Sequence, residues 1–322
     1  MRRTQASRVA LCVLTLLAAA RSIADYGADL VRVVSLALNL PGPAALMRLR
    51  AMGAQCLKIE PPAPVGAPPG AGGDPMSHYE PQAYRDLHQG IRTIALDLKS
   101  ATGQRQLHRH LARTDVLLTS FRPSALVKLG LAPQSLKRLY PALIQVAIVG
   151  APEPHAEAPG HDLTYMAECG LVDGLQLPAS LFADMGGSLL VTETVLQALW
   201  QRERAGRQQG RGSTHTIALS EAAAYLGLPR TWGLTAHDGA VGGAHAGYRV
   251  YACKNGRVAV AALEPHFAKS LCAVAGLPVA GDLRHMVQPA IQRGLSDWFA
   301  RQTRAQLKRI ARQHDIPLHT LE

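Results

Sequence analysis

The sequence has little of what nucleic-acid-binding proteins need. Its 322 residues are only 5% aromatic, and its 34 lysines and arginines are scattered along the chain. Proteins that bind single-stranded nucleic acid stack the bases on aromatic side chains beside a basic groove. The composition therefore supports a nucleic-acid partner poorly, and we predict none.

Cysteine and several catalytic motifs are also scarce or absent. The cysteines are odd in number, far apart and mostly flanked by apolar residues: Cys12, Cys56, Cys169, Cys253 and Cys272. This pattern argues against a disulfide framework or a zinc site, and it favours a reducing compartment. The chain has no P-loop, GxSxG elbow, HExxH helix or paired CxxC. Their absence removes the commonest nucleotide hydrolases, serine hydrolases and metalloenzymes, so we predict no metal.

Acidic residues are outnumbered by basic ones. The formal net charge is +11 at neutral pH. A surface of this charge suits nucleic acid, anionic lipid or a small ligand with several phosphates. Because aromatic side chains are few, a phosphate-bearing ligand is the favoured partner.

The first 28 residues differ from the rest of the chain. Met1-Arg2-Arg3 and an apolar run from Val9 to Ala20 have the charged start, short core and small-residue exit of a secretory signal. The run is too short to span a bilayer, and we predict no membrane contact. The segment is either such a signal or an amphiphilic extension of the chain.

From Asp29 onward, apolar runs alternate with helix-compatible segments. The predicted order is strand 30–38, helix 43–52, strand 56–59, loop 61–75, strand 93–98, helix 102–112, strand 115–119, helix 133–139 and strand 143–149. This alternation predicts a parallel sheet covered by helices on both faces, so we expect an α/β, Rossmann-like large domain over residues 29–228. The turn at residues 39–43 contains prolines and lacks GxGxxG spacing, so NAD binding is not expected.

A hairpin pattern opens the remaining part of the chain. Residues 248–253 and 257–263 flank Lys254-Asn255-Gly256, which contains the turn dipeptide Asn-Gly. From Leu283 to the end the pattern is mainly helical. We therefore predict a smaller α+β domain over residues 229–322.

Two residues are candidates for proton-transfer chemistry. His161 lies between Gly160 and a helix-compatible segment that Asp162 is placed to cap, which lets the imidazole project into a cleft. Asp184 precedes two glycines and a helix predicted at 188–204, beside free backbone donors that suit negative charge. The residues alone leave open a structural histidine and an aspartate that only caps a helix.

Six segments, in this order, resemble the class III CoA-transferase (CaiB/BaiF) family. They are GAQCLKIEPP at 53–62, RTIALDLKS at 92–100, DVLLTSFRPSALVKLGL at 115–131, GHDLTY at 160–165, DMGG at 184–187 and AALEPHF at 261–267. GHD followed by Tyr165, with the turn Leu263-Glu264-Pro265, is most similar to the α-methylacyl-CoA racemase branch. The resemblance implies a Rossmann-like domain, a smaller second domain and an interlocked homodimer with its active site between domains.

The resemblance also implies roles for individual residues. Asp184 matches the aspartate that, in the transferases, becomes a mixed anhydride and then a CoA thioester. In the racemase branch this position works with a histidine, here His161, supported by a glutamate that matches Glu264. The amides after Asp184 would then hold the enolate oxygen. Basic positions that line the CoA site match Lys58, Arg92, Lys99, Arg122 and Lys128.

Three functions remain open at this point. The favoured one is α-proton exchange in a 2-methylacyl-CoA, with His161 and Asp184 as base and acid and Glu264 orienting the histidine. The second is CoA transfer between carboxylic acids through Asp184, for which His161 is dispensable. The third is a non-catalytic CoA-binding member: prolines replace the family's turn at 149–159, the loop before Asp184 is short, and the resemblance implies a C-terminal return to the first domain that is not expected here. CoA is a cytosolic cofactor, so a cytoplasmic location is expected unless the N-terminal segment exports the chain.

Overall fold

The computed structural model describes residues 31–68, 70–205, 210–280 and 282–322. The signal-like segment predicted at 1–28 lies outside these residues. The chain divides into two units, Met1–Leu226 and Gly227–Glu322. One is built on a parallel sheet and the other on an antiparallel sheet.

The sheet of the first unit has six parallel strands. They are β1 (Arg32–Ser35), β2 (Gln55–Glu60), β3 (Arg92–Ala95), β4 (Val116–Thr119), β5 (Ile144–Val149) and β6 (Thr214–Ala218). Their order across the sheet is β3-β2-β1-β4-β5-β6, which reverses direction between β1 and β4. In doubly wound folds of this kind, ligands bind beyond the carboxyl ends of the strands at the reversal.

Helices cover both faces of this sheet. They are α1 (Pro41–Ala51), α2 (Met76–Tyr79), α3 (Pro81–Leu87), α4 (Ala101–Leu111), α5 (Pro123–Lys128), α6 (Pro133–Leu139), α7 (Asp162–Glu168), α8 (Phe182–Arg204) and α9 (Leu219–Leu226). Successive residues of β4 point to opposite cores: Val116 and Leu118 join the cluster of α1 and α8, whereas Leu117 joins that of α4 to α6. The predicted α/β, Rossmann-like fold is confirmed.

Two elements near the site differ from the prediction. The strand predicted to reach residue 38 ends at Ser35, and Asn39 takes a left-handed φ of 62°. The helix predicted from residue 188 begins at Phe182. Gly186 and Gly187 lie inside that helix, where added Cβ atoms would meet Leu226 and Leu219 of α9. These glycines allow two helices to approach closely and do not form a turn.

The second unit packs helices against a three-stranded antiparallel sheet. Its elements are α10 (Leu228–Thr231), β7 (Tyr248–Cys253), β8 (Gly256–Ala261), α11 (Pro265–Val274), α12 (Leu283–Met286), α13 (Pro289–Ala300), α14 (Arg304–His314) and β9 (Leu318–Leu321), with a π-helical turn at Ala240–Ala244. The predicted hairpin is present, but its turn is Lys254–Asn255 because Gly256 pairs with Cys253. The helical prediction for the chain end is wrong at β9, which pairs with β8. No helix among the described residues is long and apolar enough to cross a membrane.

Candidate active site

A cavity of about 180 Å³ lies beyond the carboxyl ends of β1, β4 and β5. Its walls come from the loops after β1 and β4, the end of β5, the segment before α7, and the starts of α7, α8 and α9. This is the place where the strand order reverses. The fold therefore puts the cavity where α/β sheets usually bind their ligands.

His161 and Asp184 line this same cavity. His161 is the N-cap residue of α7, and Asp184 is the third residue of α8. The two helices pack against each other. Residues that are 23 positions apart in the sequence are thus brought to one small space.

The environment of Asp184 favours its protonated form. Burial and the nearby charge of Asp162 raise the pKa of Asp184 to about 7. Its backbone N–H donates a hydrogen bond to Oδ1 of Asp162 at 3.0 Å, and Asp162 is buried. A carboxyl group with such a pKa can give or take a proton at neutral pH.

The backbone amides after Asp184 are not free donors. Because α8 begins at Phe182, Asp184 lies within its first turn, and the N–H of Met185 donates to the carbonyl oxygen of Leu181 at 3.0 Å. The expectation that these amides hold an enolate oxygen is therefore wrong. Asp162 does not cap its own helix either, since His161 occupies that position and Asp162 binds the first turn of α8.

Other side chains supply hydrogen-bond donors to the cavity. Asn39 follows β1, Ser120 follows β4, and Tyr165 lies on α7. Oγ of Ser120 accepts the N–H of Leu38 at 3.0 Å, which joins two walls of the cavity. Asn39 and Ser120 were not predicted as site residues, and Tyr165 was predicted only as part of a motif. The signal for Asn39 is its place directly after the apolar run 30–38, at a turn where asparagine can adopt the left-handed backbone conformation.

Tyr165 explains two of the glycines around the cavity. Its ring is buried, and a Cβ at either Gly150 or Gly160 would collide with it. Burial and the charge of Asp184 raise the pKa of Tyr165. The glycine of the GHD motif therefore makes room for the tyrosine that follows on α7.

Two of the five basic residues predicted to bind CoA do not fit that role in this structure. Lys58 is fully buried in β2, where its ammonium group pairs with Asp74 and burial lowers its pKa, so a ligand does not reach it. Arg92 begins β3 and is therefore at the opposite edge of the sheet from the cavity. Its charge, together with burial, lowers the pKa of His110 on α4.

The other three basic residues are exposed near the carboxyl edge of the sheet or on the helix that follows it. Arg122 lines the cavity and precedes α5, Lys128 ends α5, and Lys99 follows β3. Glu264 is the exposed N-cap residue of α11 in the second unit. Among the described residues, no group of three or more His, Cys, Asp or Glu side chains could hold a metal ion.

Comparison with known proteins gives the family. Residues 18–322 match the model of CoA-transferase family III. The chain belongs to this family. It is 29% identical over 293 residues to the α-methylacyl-CoA racemase of Mus musculus, covering 86% of this chain and 72% of the racemase. It is 33% identical over 211 residues to the cinnamoyl-CoA:phenyllactate CoA-transferase of Clostridium sporogenes, covering 62% of this chain and 50% of the transferase.

Solved structures show the same fold. A hypothetical protein from Mycobacterium tuberculosis superposes with a TM-score of 0.74 at 22% identity. The match covers 91% of this family III chain and 85% of the Mycobacterium tuberculosis chain. A CaiB/BaiF family protein from Brucella suis has a TM-score of 0.72 at 22% identity, and the match covers 91% of this chain and 83% of the Brucella suis chain. The family predicted from the six segments is confirmed, and its named relatives include racemases and CoA-transferases, both of which are enzymes.

Proposed function

We propose that this enzyme exchanges the α-proton of a 2-methylacyl-CoA and thereby racemises it. The observation that carries the proposal is that His161 and Asp184 line one cavity while the pKa of Asp184 is raised to about 7. Racemisation needs one group on each face of the α-carbon, and each group must act as acid in one direction and base in the other. Histidine is the side chain used most often for such proton transfers, and burial and the charge of Asp162 bring the pKa of Asp184 to about 7.

The proton transfers follow from this pair. In one direction the neutral imidazole of His161 takes the α-proton, the C–H electron pair moves into the enolate, and protonated Asp184 returns a proton to the other face. In the reverse direction ionised Asp184 takes the proton and the imidazolium returns one. Donors such as the Ser120 and Tyr165 hydroxyls are available in the cavity for the enolate oxygen.

Further parts of the proposal rest on the family resemblance. Glu264 orients His161, and Arg122, Lys99 and Lys128 attract the phosphates of CoA, since arginine and lysine suit phosphate oxygens. Lys58 and Arg92 are left out of direct contact because of their positions. The enzyme works as an interlocked homodimer in the cytoplasm, where CoA thioesters are found.

A second candidate is CoA transfer between carboxylic acids. The matched transferase of Clostridium sporogenes favours it, as does the carboxyl group of Asp184 at the cavity wall. In that reaction the Asp184 carboxylate attacks the thioester carbonyl and CoA leaves as the thiolate, which attacks the aspartyl carbonyl of the mixed anhydride and releases the donor acid. The acceptor carboxylate then displaces CoA from the aspartyl thioester, and the thiolate attacks the acceptor's acyl carbonyl, which forms the new CoA thioester and frees Asp184. His161 has no required part in these steps.

Deuterium incorporation separates the two reactions. The protein is incubated with a chiral 2-methylacyl-CoA in deuterium oxide without an acceptor acid, and deuterium at the α-carbon is measured by mass spectrometry. We expect exchange together with racemisation, and we expect His161→Ala and Asp184→Asn each to lower the rate of racemisation by roughly 10²- to 10⁴-fold. His155→Ala is the matched control, because His155 is exposed and does not line the cavity. Asp184 can still exchange the proton on its own face in His161→Ala, so racemisation at the wild-type rate in that variant, and not residual exchange of one enantiomer, contradicts catalysis by this pair.

Hydroxylamine tests the second candidate. It converts an activated carboxyl group into a hydroxamate, so a hydroxamate at Asp184 after acyl-CoA addition reports the aspartyl intermediate. Such a product, with no α-deuteration of any branched acyl-CoA, replaces the first proposal by the second.

A further inference from the structure

Asp162 is a buried carboxylate that the proposed reaction does not use directly. Only 5% of its surface is exposed. Its Oδ1 accepts the backbone N–H of Asp184 at 3.0 Å. The first turn of a helix leaves N–H groups without partners inside the helix, and α8 has no cap from its own N-cap residue, Leu181. A carboxylate from α7 therefore caps the helix that carries Asp184.

Asp162 also links the position of Asp184 to that of His161, because both Asp162 and His161 lie at the start of α7. Asp162 directly follows His161, and His161 is held at the start of α7 by two hydrogen bonds with Thr164. One residue of this turn thus presents the imidazole to the cavity while the next binds the backbone of Asp184. This hydrogen bond, together with the packing of α7 against α8, sets the relative placement of His161 and Asp184.

We propose that Asp162 is a positioning residue for Asp184: its buried carboxylate holds the first turn of α8 against α7 and places a negative charge next to the Asp184 carboxyl group. The catalytic consequence of this rests on the proposed function, whereas the contact itself does not. Two carboxyl groups in a site of low polarity repel each other when both are ionised. The charge of Asp162 is accordingly one of the two causes that raise the pKa of Asp184 to about 7, after burial.

The other charged groups described around Asp184 do not hold its backbone or favour its protonation in the way that Asp162 does. Titratable residues on the surrounding elements include His161, Tyr165 and Glu168 on α7, Arg122 before α5, Tyr79 on α2, Arg48 and Arg50 on α1, His215 on β6 and Glu221 on α9. Arg122 is positive and opposes protonation of a neighbouring carboxylate. Glu221 is exposed, and Arg48 lines a different groove with Leu189. Asp162 is the buried carboxylate that contacts Asp184.

Two substitutions separate position from charge. Asp162→Asn keeps an oxygen that can accept the N–H of Asp184 but removes the charge, whereas Asp162→Ala removes both. The readout is the titration of the Asp184 carboxyl carbon by ¹³C NMR in the full chain labelled at aspartate, with Asp184→Asn identifying the signal. We expect Asp162→Asn to move the midpoint of Asp184 to lower pH by about one unit. Asp173→Asn is the matched control, because Asp173 is exposed outside the cavity.

The pH dependence of the exchange rate tests the same two roles of Asp162. In Asp162→Asn the limb of the pH–rate profile that depends on protonated Asp184 moves to lower pH with the NMR midpoint. In Asp162→Ala the exchange rate falls by at least roughly tenfold, because the reacting groups are no longer held in place. An unchanged Asp184 midpoint in Asp162→Asn overturns the proposal. If the wild-type protein exchanges no α-proton, the proposed function fails while the NMR titration still decides the role of Asp162.

Discussion

The ammonium group of Lys58 pairs with the carboxylate of Asp74 in the interior of the first unit, and both side chains are fully buried. Asp74 also accepts the backbone N–H of Asn39, at 3.1 and 3.2 Å to its two oxygens, and that of Met76 at 3.0 Å. Asn39 lines the cavity. The buried pair therefore supports the left-handed turn that forms one wall of the candidate site.

Removing Lys58 alone should destabilise the protein strongly. Lys58→Met leaves the buried carboxylate of Asp74 without a counter-charge, which typically costs about 3–5 kcal/mol. Lys58→Met with Asp74→Asn removes both charges and should recover part of that loss. Urea unfolding of the full chain measures the difference. A loss below about 1 kcal/mol for Lys58→Met would show that the lysine is not paired in the interior.

The fit of Tyr165 predicts a selective rescue. An added Cβ at Gly150 would meet mainly the hydroxyl oxygen of Tyr165, whereas one at Gly160 would meet the ring carbons as well. Gly150→Ala and Gly160→Ala should each destabilise by about 1–3 kcal/mol through overpacking. Tyr165→Phe removes the hydroxyl and should recover most of the loss in Gly150→Ala but little of that in Gly160→Ala. Equal recovery in thermal unfolding of the two double variants contradicts this packing.

Asp184 should reduce stability at high pH. Its folded-state pKa of about 7 lies above the ordinary value of about 3.9, so the folded state binds the proton more tightly than the unfolded chain. Below about pH 4 Asp184 is protonated in both the folded and the unfolded state, so it does not change the free energy of unfolding. The destabilisation grows as the pH rises towards about 7 and persists above that pH. The upper limit of this destabilisation is about 4 kcal/mol, and screening by solvent in the cavity reduces it to roughly 1–3 kcal/mol.

Asp184→Asn tests the direction of this pH dependence of stability. The variant should match the wild-type protein near pH 4 and exceed its free energy of unfolding at pH 8, a gain of stability of the kind often found at functional sites. Asp173→Asn, at an exposed position, should show no such dependence. A pH dependence of Asp184→Asn that parallels the wild type contradicts a raised pKa.

Local patterns in the sequence predict the sheet, whereas contacts between distant residues decide the site. The strands β4 and β5 are predicted because strands buried on both faces are mainly apolar. The start of α8 is missed because its capping carboxylate, Asp162, lies 22 residues before Asp184. The pair Gly186 and Gly187 also suggests a break, although it serves close packing against α9. The burial of Lys58 is missed because its partner, Asp74, comes from a loop rich in proline and glycine.

The positions of the basic residues predict unequal contributions to CoA binding. Arg122 lines the cavity, whereas Arg92 lies at the start of β3, at the opposite edge of the sheet from the cavity. Arg122→Gln should therefore raise the Kd for CoA by roughly tenfold, the loss expected for a charge-assisted hydrogen bond to phosphate. Arg92→Gln, the matched control, should change it less than about twofold because its charge is screened. Isothermal titration calorimetry at several salt concentrations makes the comparison, and an equal loss in both variants would mean that CoA does not lie along the carboxyl edge of the sheet.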